Sequence, residues 1–269
     1  MKKLFIVVLY KMCIEDSPTV QSFIKCNLFA NSDNFFYFWD NSPDPSFDEN
    51  IKYSERLGRN IVYSSHTENT PLAKVYNTII AEYSGVDYVA IFDQDTKINT
   101  LDYENVLDRA IEENKLINLF MPIIKTANGQ IYSPGKNILP GKNRKIKKLP
   151  YGVFPARKLV GITSGLVIST KYLTNQYKFN GKLKLYGVDT DFFYHYEKSN
   201  KYLYLLKVDI DHDLSFESSE ISAEENWLRF IERNAAYFDI YTSLIERLFV
   251  HVWLAYYRII KKLNLLRYK

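Results

Sequence analysis

The sequence has few cysteines: only Cys13 and Cys26 occur among 269 residues. So few thiols exclude a framework of several disulfide bonds and are typical of reduced side chains in a cytosolic protein, with a single bridge as the alternative. Long apolar runs are also lacking. No stretch reaches the roughly 18 uninterrupted apolar residues that cross a bilayer, because the best candidate, residues 248–260, contains His251 and Arg258. We therefore expect a cytoplasmic protein.

The start of the chain resembles a signal peptide only superficially. Its apolar stretch ends at Lys11 and has no small-residue cleavage site, so we interpret residues 4–9 as a buried strand. A large excess of charge is missing too, since 35 basic residues against 31 acidic ones leave a net charge of +4. That balance argues against a nucleic-acid-binding protein, although basic residues cluster at 136–148 and 258–269.

What the chain does have is enough apolar sequence for a sizeable core, with 46% hydrophobic residues. Short apolar runs alternate with helical stretches through the first half, which is typical of parallel strands joined by crossover helices. Thr70 and Pro71 are the expected N-cap and first residue of the second helix. We predict strands at residues 4–9, 34–39, 60–63, 88–92 and 116–121, and helices at residues 19–27, 71–83 and 103–113.

This pattern predicts an open α/β sheet, in which ligands bind beyond the carboxyl ends of the strands. The residues expected to converge there are Tyr10, Asp40, His66, Asp93 and Asp95.

The second half is organised differently. Residues after Met121 are rich in glycine, proline and lysine, which predicts a long functional loop. A strand is predicted at residues 165–169, and residues 226–257 have the spacing of a helix. We divide the chain into a catalytic domain, residues 1–215, and a C-terminal helical region, residues 216–269, and find no internal repeat.

Two pairs of aspartates could carry chemistry. Asp93 and Asp95 follow a buried apolar strand, and such carboxylates suit Mg²⁺ or Mn²⁺ that is also held by substrate phosphates. The alternative is a solvated turn, where aspartate is common. Asp189 and Asp191 lie about a hundred residues later and could supply a general base. The alternative for this second pair is an exposed helix start.

The order of these motifs resembles the family 2 glycosyltransferases, which are inverting enzymes with the GT-A fold. The D-Q-D triplet and the second acidic pair are most similar to the bacterial rhamnosyltransferase-like branch. The resemblance covers roughly residues 1 to 215. The matching segments are the first strand ending in Tyr10, the second ending in Trp39-Asp40-Asn41-Ser42, Asn69 through Asn77, Phe92-Asp93-Gln94-Asp95, Ser164-Gly165-Leu166-Val167-Ile168 and Val188-Asp189-Thr190-Asp191-Phe192.

The resemblance implies a role for each matching residue. Asp40 would contact the nucleobase, Asp93 and Asp95 the ribose and the metal, and His212 the metal or diphosphate. Asp189 would be the catalytic base. Many relatives have Glu-Asp where this chain has Val-Asp, so Asp191 is a competing choice. The remaining nucleotide-sugar contacts would come from Tyr10, Asn69, Asn77, Gln94, Ser164 and Gly165.

The reaction implied by the resemblance is a direct displacement that inverts the anomeric carbon. A UDP- or dTDP-linked sugar, with dTDP-rhamnose favoured by the branch, would be transferred to a saccharide hydroxyl during synthesis of a bacterial surface or capsular polysaccharide. The acceptor would be an oligosaccharide or a lipid-linked one. The tail at residues 237–269 combines aromatic and basic residues, which suits peripheral contact with the inner face of the membrane; packing on the core or in a homodimer is the alternative.

Two other classes of protein fit parts of the pattern. Sugar nucleotidyltransferases and other metal-dependent phosphoryl-transfer enzymes also use paired carboxylates, but residues 10–15 lack the glycines of a phosphate-binding loop. A non-catalytic saccharide-binding module would use the 16% aromatic residues as stacking platforms. The presence of Asp189 beside both metal carboxylates argues against that reading.

Overall fold

The computed structural model describes residues 1–126, 128–139, 142–212 and 223–267. The strands of this part are β1 Lys3–Leu9, β2 Asn34–Asp40, β3 Ile61–Ser65, β4 Tyr88–Asp93, β5 Thr96–Ile98, β6 Leu119–Pro122, β7 Ile124–Lys125, β8 Ile131–Ser133, β9 Gly135–Leu139, β10 Lys142–Arg144, β11 Gly152–Pro155, β12 Leu159–Val160, β13 Leu166–Ser169, β14 Tyr202–Leu206 and β15 Ile210–His212. The helices are α1 Pro18–Lys25, α2 Phe47–Leu57, α3 Leu72–Glu82, α4 Tyr103–Glu113, α5 Thr170–Asn175, α6 Val188–Ser199, α7 Ala223–Ile240 and α8 Leu244–Arg267.

A central sheet of eight strands organises the fold, in the order β11-β14-β6-β13-β4-β1-β2-β3. The run β4-β1-β2-β3 is parallel, as is the pair β6 and β14, whereas β13 and the edge strand β11 are antiparallel to their neighbours. The sheet is therefore mixed and mostly parallel, with helices on its faces. This confirms the predicted α/β class.

Both faces of the sheet are buried because the strands are apolar on both sides. In β1, Leu4 and Ile6 belong to one core while Phe5 and Val7 belong to the other, as the alternation of side chains in a strand requires. Aromatic rings fill the second core, where Phe5 stacks on Phe36 with 5.0 Å between ring centroids. Such continuous apolar strands are typical of sheets covered by helices on both faces.

The predicted strands and helices of the first half are confirmed with small shifts at their ends; α3, for example, begins at Leu72 with Pro71 as its N-cap. The predicted long loop after Met121 is wrong. Six short strands, β7 to β12, lie there; β9 pairs with β10 and β12, and β11 pairs with β14. These strands have two to five residues, and most of their side chains are polar or exposed. They therefore lack the apolar alternation by which strands are predicted.

The C-terminal helical region consists of two helices, α7 and α8. Ile240, Val250 and Leu254 are buried in the main core. Leu248 and Val252 on α8 are about 60% exposed, at 63% and 59%. No helix in the described ranges is long and apolar enough to cross a membrane.

Both cysteines are free thiols. Cys13 is partly exposed and its Sγ lies 3.9 Å from a carboxylate oxygen of Glu49. Cys26 is buried, and burial raises the pKa of its thiol.

Candidate functional site

The carboxyl ends of β1 to β4 meet at one edge of the sheet, which we call the rim. The strand register sets Leu9 beside Asp40 and Val8 beside Asp93, and His66 follows directly after β3, donating its backbone N–H to the Asp40 carbonyl at 2.8 Å. The rim therefore brings together the residues that end or follow these four strands, as expected for an open α/β sheet.

The turn that carries Asp93 and Asp95 is held by buried hydroxyl groups. Ser164 Oγ accepts a hydrogen bond from the Asp93 N–H at 3.0 Å. Thr19 Oγ1 donates to the Asp93 carbonyl at 2.5 Å and accepts from the Thr96 N–H at 2.9 Å. Since backbone groups on both sides of Asp95 are fixed, the two carboxylates are presented by a preorganised turn.

Gln94, between the two carboxylates, braces this turn against β1. Its Oε1 accepts from the Tyr10 N–H at 2.6 Å, and its Nε2 donates to the Tyr10 carbonyl at 3.3 Å. Ser17 Oγ donates to the Gln94 carbonyl at 2.7 Å. The Tyr10 ring is exposed on the rim, where Lys11 Nζ lies 5.4 Å from its centroid.

Ser164 and Gly165 support the turn from inside the protein. Ser164 is fully buried. Gly165 has φ +84°, and a Cβ at this position would lie 2.7 Å from Pro122 Cγ, so both backbone conformation and space require glycine. The structure places these two predicted sugar contacts beneath the aspartate turn.

Asp40 is buried at the end of β2. Its carboxylate accepts hydrogen bonds from the Ser42 N–H at 3.0 Å, the Tyr63 hydroxyl at 2.8 Å and Asn50 Nδ2 at 3.4 Å. Burial, with further effects from Asp40, raises the pKa of Tyr63 to about 12. Sequence reasoning missed Asn50 and Tyr63; Asn50 lies on α2, a helix that the apolar pattern did not indicate.

Asn69 and Asn77 tie loops together. Asn69 Oδ1 accepts from Asn41 Nδ2 at 3.0 Å in the loop before α3. Asn77 makes two hydrogen bonds with the backbone of Phe179, at 2.8 and 3.1 Å. The second pair joins α3 to the segment that leads into α6.

Asp189 lies in the first turn of α6 and is partly buried. Burial and the negative charge of Asp93 raise the pKa of Asp189 to about 7, although hydrogen bonds from the hydroxyl and N–H of Thr163 oppose the increase. Burial is also the main reason that the pKa of Tyr76 is well above its usual value, with Asp93 and Asp189 adding to it. The two aspartates and Tyr76 therefore form one electrostatic group. Thr163 lies just outside the matching segment that begins at Ser164, and Tyr76 lies within the segment Asn69–Asn77 without a predicted role, so sequence reasoning missed both.

Asp191 is placed differently from Asp189. It is buried, and its carboxylate accepts a hydrogen bond from the Tyr177 hydroxyl at 2.7 Å. His195 Nδ1 lies 2.9 Å from the Asp191 backbone oxygen and 3.4 Å from its Oδ1. Because two residues on a helix are separated by about 200°, Asp191 faces the core when Asp189 faces the rim.

The fit of a divalent metal rests on Asp93 and Asp95, which offer hard oxygen ligands. Within the described residues no group of three or more His, Cys, Asp or Glu side chains is arranged to hold a metal. Mg²⁺ commonly uses one or two carboxylates together with substrate phosphates, so this turn fits a metal shared with a diphosphate. The backbone of His212 lies opposite Thr96 in the pair β15 and β5; its side chain is outside the described part.

A surface cavity of about 400 Å³ lies at the other edge of the sheet. It is lined by residues near the start of β4 and the end of β13, including Asp87, Tyr88 and Lys171. None of the predicted site residues lines it.

The fold of this chain is similar to solved structures of GT-A-type glycosyltransferases. The chain matches GalNAc-T7, crystallised with UDP, GalNAc and Mn²⁺, with a TM-score of 0.62 and 11% identity over 86% of this chain and 48% of that one. It matches S. aureus TarS with a TM-score of 0.54 and 15% identity, over 88% of this chain and 44% of that one. For residues 1–349 of TarS in complex with UDP-GlcNAc the TM-score is 0.53 at 16% identity, over 90% and 68%.

The chain thus has the GT-A fold of nucleotide-sugar glycosyltransferases, as predicted. It spans about half the length of the GalNAc-T7 chain and less than half of the first TarS chain. No protein-family model matches the sequence, and no curated protein matches it significantly.

Proposed function

We propose that the protein is an inverting glycosyltransferase that moves a sugar from a nucleotide diphosphate to a saccharide hydroxyl. The observation that carries this proposal is the pairing of a preorganised Asp93-Gln94-Asp95 turn with Asp189, whose pKa is raised to about 7 beside it. A carboxylate with such a pKa accepts a proton well near neutral pH. The GT-A fold supports this reading over a phosphoryl-transfer enzyme or a binding module.

In the proposed reaction, Asp189 takes the proton of the acceptor hydroxyl. The hydroxyl oxygen forms a bond to the anomeric carbon as the bond to the diphosphate oxygen breaks, so the configuration inverts. Thr163 orients Asp189 through its hydroxyl and N–H. Asp191, buried and bonded to Tyr177, stabilises α6 and does not take part.

Asp93 and Asp95 would hold the divalent metal, Mg²⁺ or Mn²⁺, with His212 as a further proposed ligand. When bound, the metal neutralises charge on the departing diphosphate. GalNAc-T7 was crystallised with Mn²⁺ and UDP, which makes Mn²⁺ the first ion to test. Asp40, at the end of β2, would help to bind the nucleobase of the donor. Its carboxylate fixes the Ser42 N–H.

Donor identity is proposed from two sources. The TarS fragment was crystallised with UDP-GlcNAc and GalNAc-T7 with UDP, which supports a UDP-linked sugar. The D-Q-D motif resembles the rhamnosyltransferase-like branch and supports dTDP-rhamnose. The acceptor in this proposal is an oligosaccharide or lipid-linked saccharide of a bacterial surface or capsular polysaccharide.

The C-terminal helical region would bring the enzyme to that acceptor. The exposed apolar residues of α8 recur every three or four positions and are followed by basic residues at the end of the chain. Such a helix can lie in the interface of an anionic membrane. A homodimer through the same apolar residues is the second proposal. They are Leu244, Ile245, Leu248, Phe249, Val252, Tyr256, Tyr257 and Ile259.

The proposal is tested by thermal unfolding with UDP-, dTDP- and GDP-sugars and Mn²⁺, because a ligand of the folded state raises its stability. We expect one nucleotide class to raise the melting temperature of the wild type in a metal-dependent way. Asp95→Ala should lose most of this increase. The control Glu112→Ala, an exposed carboxylate on α4, should keep it. No response to any nucleotide sugar would contradict the proposal.

The roles of the two later aspartates are separated by a second measurement. With the donor identified, Asp189→Asn should abolish transfer while leaving donor-induced stabilisation intact. Asp191→Asn should lower stability and retain turnover. NMR of the product should show the anomeric configuration opposite to that of the donor; retention would overturn the inverting mechanism.

A further inference from the structure

Charge is strongly segregated along the chain. Residues 114–188 contain 14 lysines and arginines and no aspartate or glutamate. The 113 residues before them contain 18 acidic and 10 basic residues. The small net charge of +4 is therefore distributed unevenly. The basic middle segment forms β6 to β13 and the residues that lead into α6.

The cations of this segment lie on the surface. The three-stranded sheet of β10, β9 and β12 and the residues that follow β10 carry six of them, all exposed. Within the part of the chain that the structure describes, no carboxylate lies in ion-pairing distance of these six side chains. We call this surface the basic sheet, and its cations are Lys136, Lys142, Arg144, Lys145, Lys147 and Lys148.

The basic sheet is connected along the chain to a residue that contacts Asp189, the proposed catalytic base. Strand β12 is followed by Gly161 and Ile162, which lead to Thr163, and Thr163 hydrogen-bonds Asp189. A Cβ on Gly161 would lie 2.8 Å from Met121 Cε and 3.1 Å from Phe193 Cζ, so this connection is packed tightly between the main sheet and α6. The basic sheet is thus joined by a tightly packed segment to Thr163, the residue that hydrogen-bonds Asp189.

A second group of cations reaches the rim from the other direction along the chain. Lys178, Lys182 and Lys184 are exposed on the segment that leads into α6. The Lys184 carbonyl accepts a hydrogen bond from the Leu72 N–H at 2.7 Å, at the start of α3. Basic segments therefore lead to Asp189 by two connections. One is the segment before α6, and the other is the segment that follows β12.

We infer that the acceptor of the proposed transferase is a polyanion, namely a saccharide chain that carries repeated phosphate or carboxylate groups. Exposed cations of one sign attract and concentrate anionic ligands. A single phosphate needs one or two of them, whereas β9 alone extends roughly 17 Å. An extended ligand with regularly spaced charges uses the whole surface.

The donor does not explain these cations, and a nucleic acid explains them less well. Asp40, Asp93 and Asp95, the proposed donor contacts, come from the acidic first part of the chain. The basic run at residues 136–148 contains no aromatic residue, so it lacks the stacking platforms with which proteins bind single-stranded nucleic acids.

The test measures binding of polygalacturonate and of long-chain polyphosphate, with neutral dextran as the uncharged probe. We expect both polyanions to bind the wild type, dextran to fail, and the affinity to fall as salt rises from about 50 to 200 mM. The triple variant Arg144→Glu, Lys145→Glu and Lys147→Glu should lose on the order of tenfold in affinity and show a smaller salt dependence.

The matched control changes the same net charge elsewhere. Lys25→Glu, Lys52→Glu and Arg59→Glu alter exposed residues outside the basic segment, and this variant should keep most of its affinity. Equal losses in both variants, or no binding to either polyanion, would overturn the inference. So would a preference for an oligonucleotide over both polyanions. The melting temperature of each variant without ligand should match that of the wild type, which verifies their fold.

The inference rests on the proposed function for the word acceptor, and the two can fail separately. If nucleotide sugars fail to stabilise the protein while polyanions bind the basic sheet, the transferase proposal is wrong. If nucleotide sugars bind and polyanions do not, only the polyanionic acceptor is wrong.

Discussion

The carboxyl group of Asp189 binds a proton more readily than an ordinary aspartate because it is partly buried and faces the charge of Asp93. An unfolded chain has neither effect. Between the ordinary pKa of about 4 and the folded value of about 7, the folded protein therefore binds more protons at this position. Stability contributed by this group is lost as the pH rises through that window.

From this we predict that Asp189→Asn stabilises the folded protein in metal-free buffer with EDTA. The gain relative to the wild type should be small near pH 4, grow up to about pH 7 and level off above it, because the amide never ionises. Thermal unfolding of both proteins across this range checks the prediction. A gain that is constant with pH would show that Asp189 is not the perturbed group.

A second prediction at the residue scale concerns the hydroxyl of Thr19. Thr19→Val keeps the shape of the side chain but removes the hydroxyl that donates to the Asp93 carbonyl and accepts from the Thr96 N–H. We expect a loss of about 1–3 kcal/mol in the free energy of unfolding and weaker binding of the nucleotide sugar. Thr19→Ser, which retains the hydroxyl, should recover most of both, as measured by denaturant unfolding and donor titration. If the serine variant behaves like valine, packing of the methyl group is the cause.

At the scale of elements, the strands and helices that could be predicted are those whose own residues form an apolar pattern. The strand before Asp93 is a run of apolar residues that ends in carboxylates, and its position at the rim follows from the α/β pattern. The short strands β9 and β10 have no such signal, since their side chains are largely exposed, and β9 is also held by pairing with the more distant strand β12. For the same reason, the contacts of Asp40 with Tyr63 and Asn50 could not be read from the sequence.

The start of α6 depends on its packing against α7. Gly187 precedes the helix with φ +89°, and a Cβ there would lie 2.8 Å from Ala236 Cβ on α7. Backbone strain and crowding would act together on a larger residue. Since Asp189 is two residues further on, the position of the proposed base is coupled to α7.

We therefore predict that Gly187→Ala lowers the free energy of unfolding by roughly 1–3 kcal/mol and lowers turnover more than donor affinity. Gly85→Ala is the matched control, because no atom lies within 4 Å of a Cβ at Gly85. Denaturant unfolding and steady-state kinetics of both variants check this. A loss of donor affinity without loss of turnover would place the effect elsewhere.

At the scale of the whole molecule, the residues proposed for catalysis and a buried, ion-paired lysine lie at opposite ends of the central strands. Lys3, at the start of β1, is buried, and its Nζ lies 2.8 Å from Glu104 Oε1 and 3.0 Å from Asp108 Oδ1. Losing one partner of such a buried group is costly. The end of β1 opposite the rim is thus tied to α4, while the rim carries the polar groups proposed for catalysis.

The last prediction concerns the exposed apolar residues of α8. Leu248→Glu with Val252→Glu should reduce binding to phosphatidylglycerol vesicles in a sedimentation assay and leave donor-induced stabilisation unchanged. Val62→Glu, at an exposed apolar residue of the edge strand β3, is the control and should bind vesicles like the wild type. If the wild type is instead a dimer that the double variant dissociates, as judged by light scattering, the homodimer is the correct reading.

The unequal surroundings of the two thiols make the native chain suitable for site-specific labelling. Cys13 is partly exposed three residues beyond Tyr10 on the rim, whereas Cys26 is buried and burial raises the pKa of its thiol. Since the thiolate is the reactive form, a maleimide dye should attach at Cys13 alone. A fluorophore at that position could report nucleotide-sugar occupancy as an optical sensor without any engineered residue.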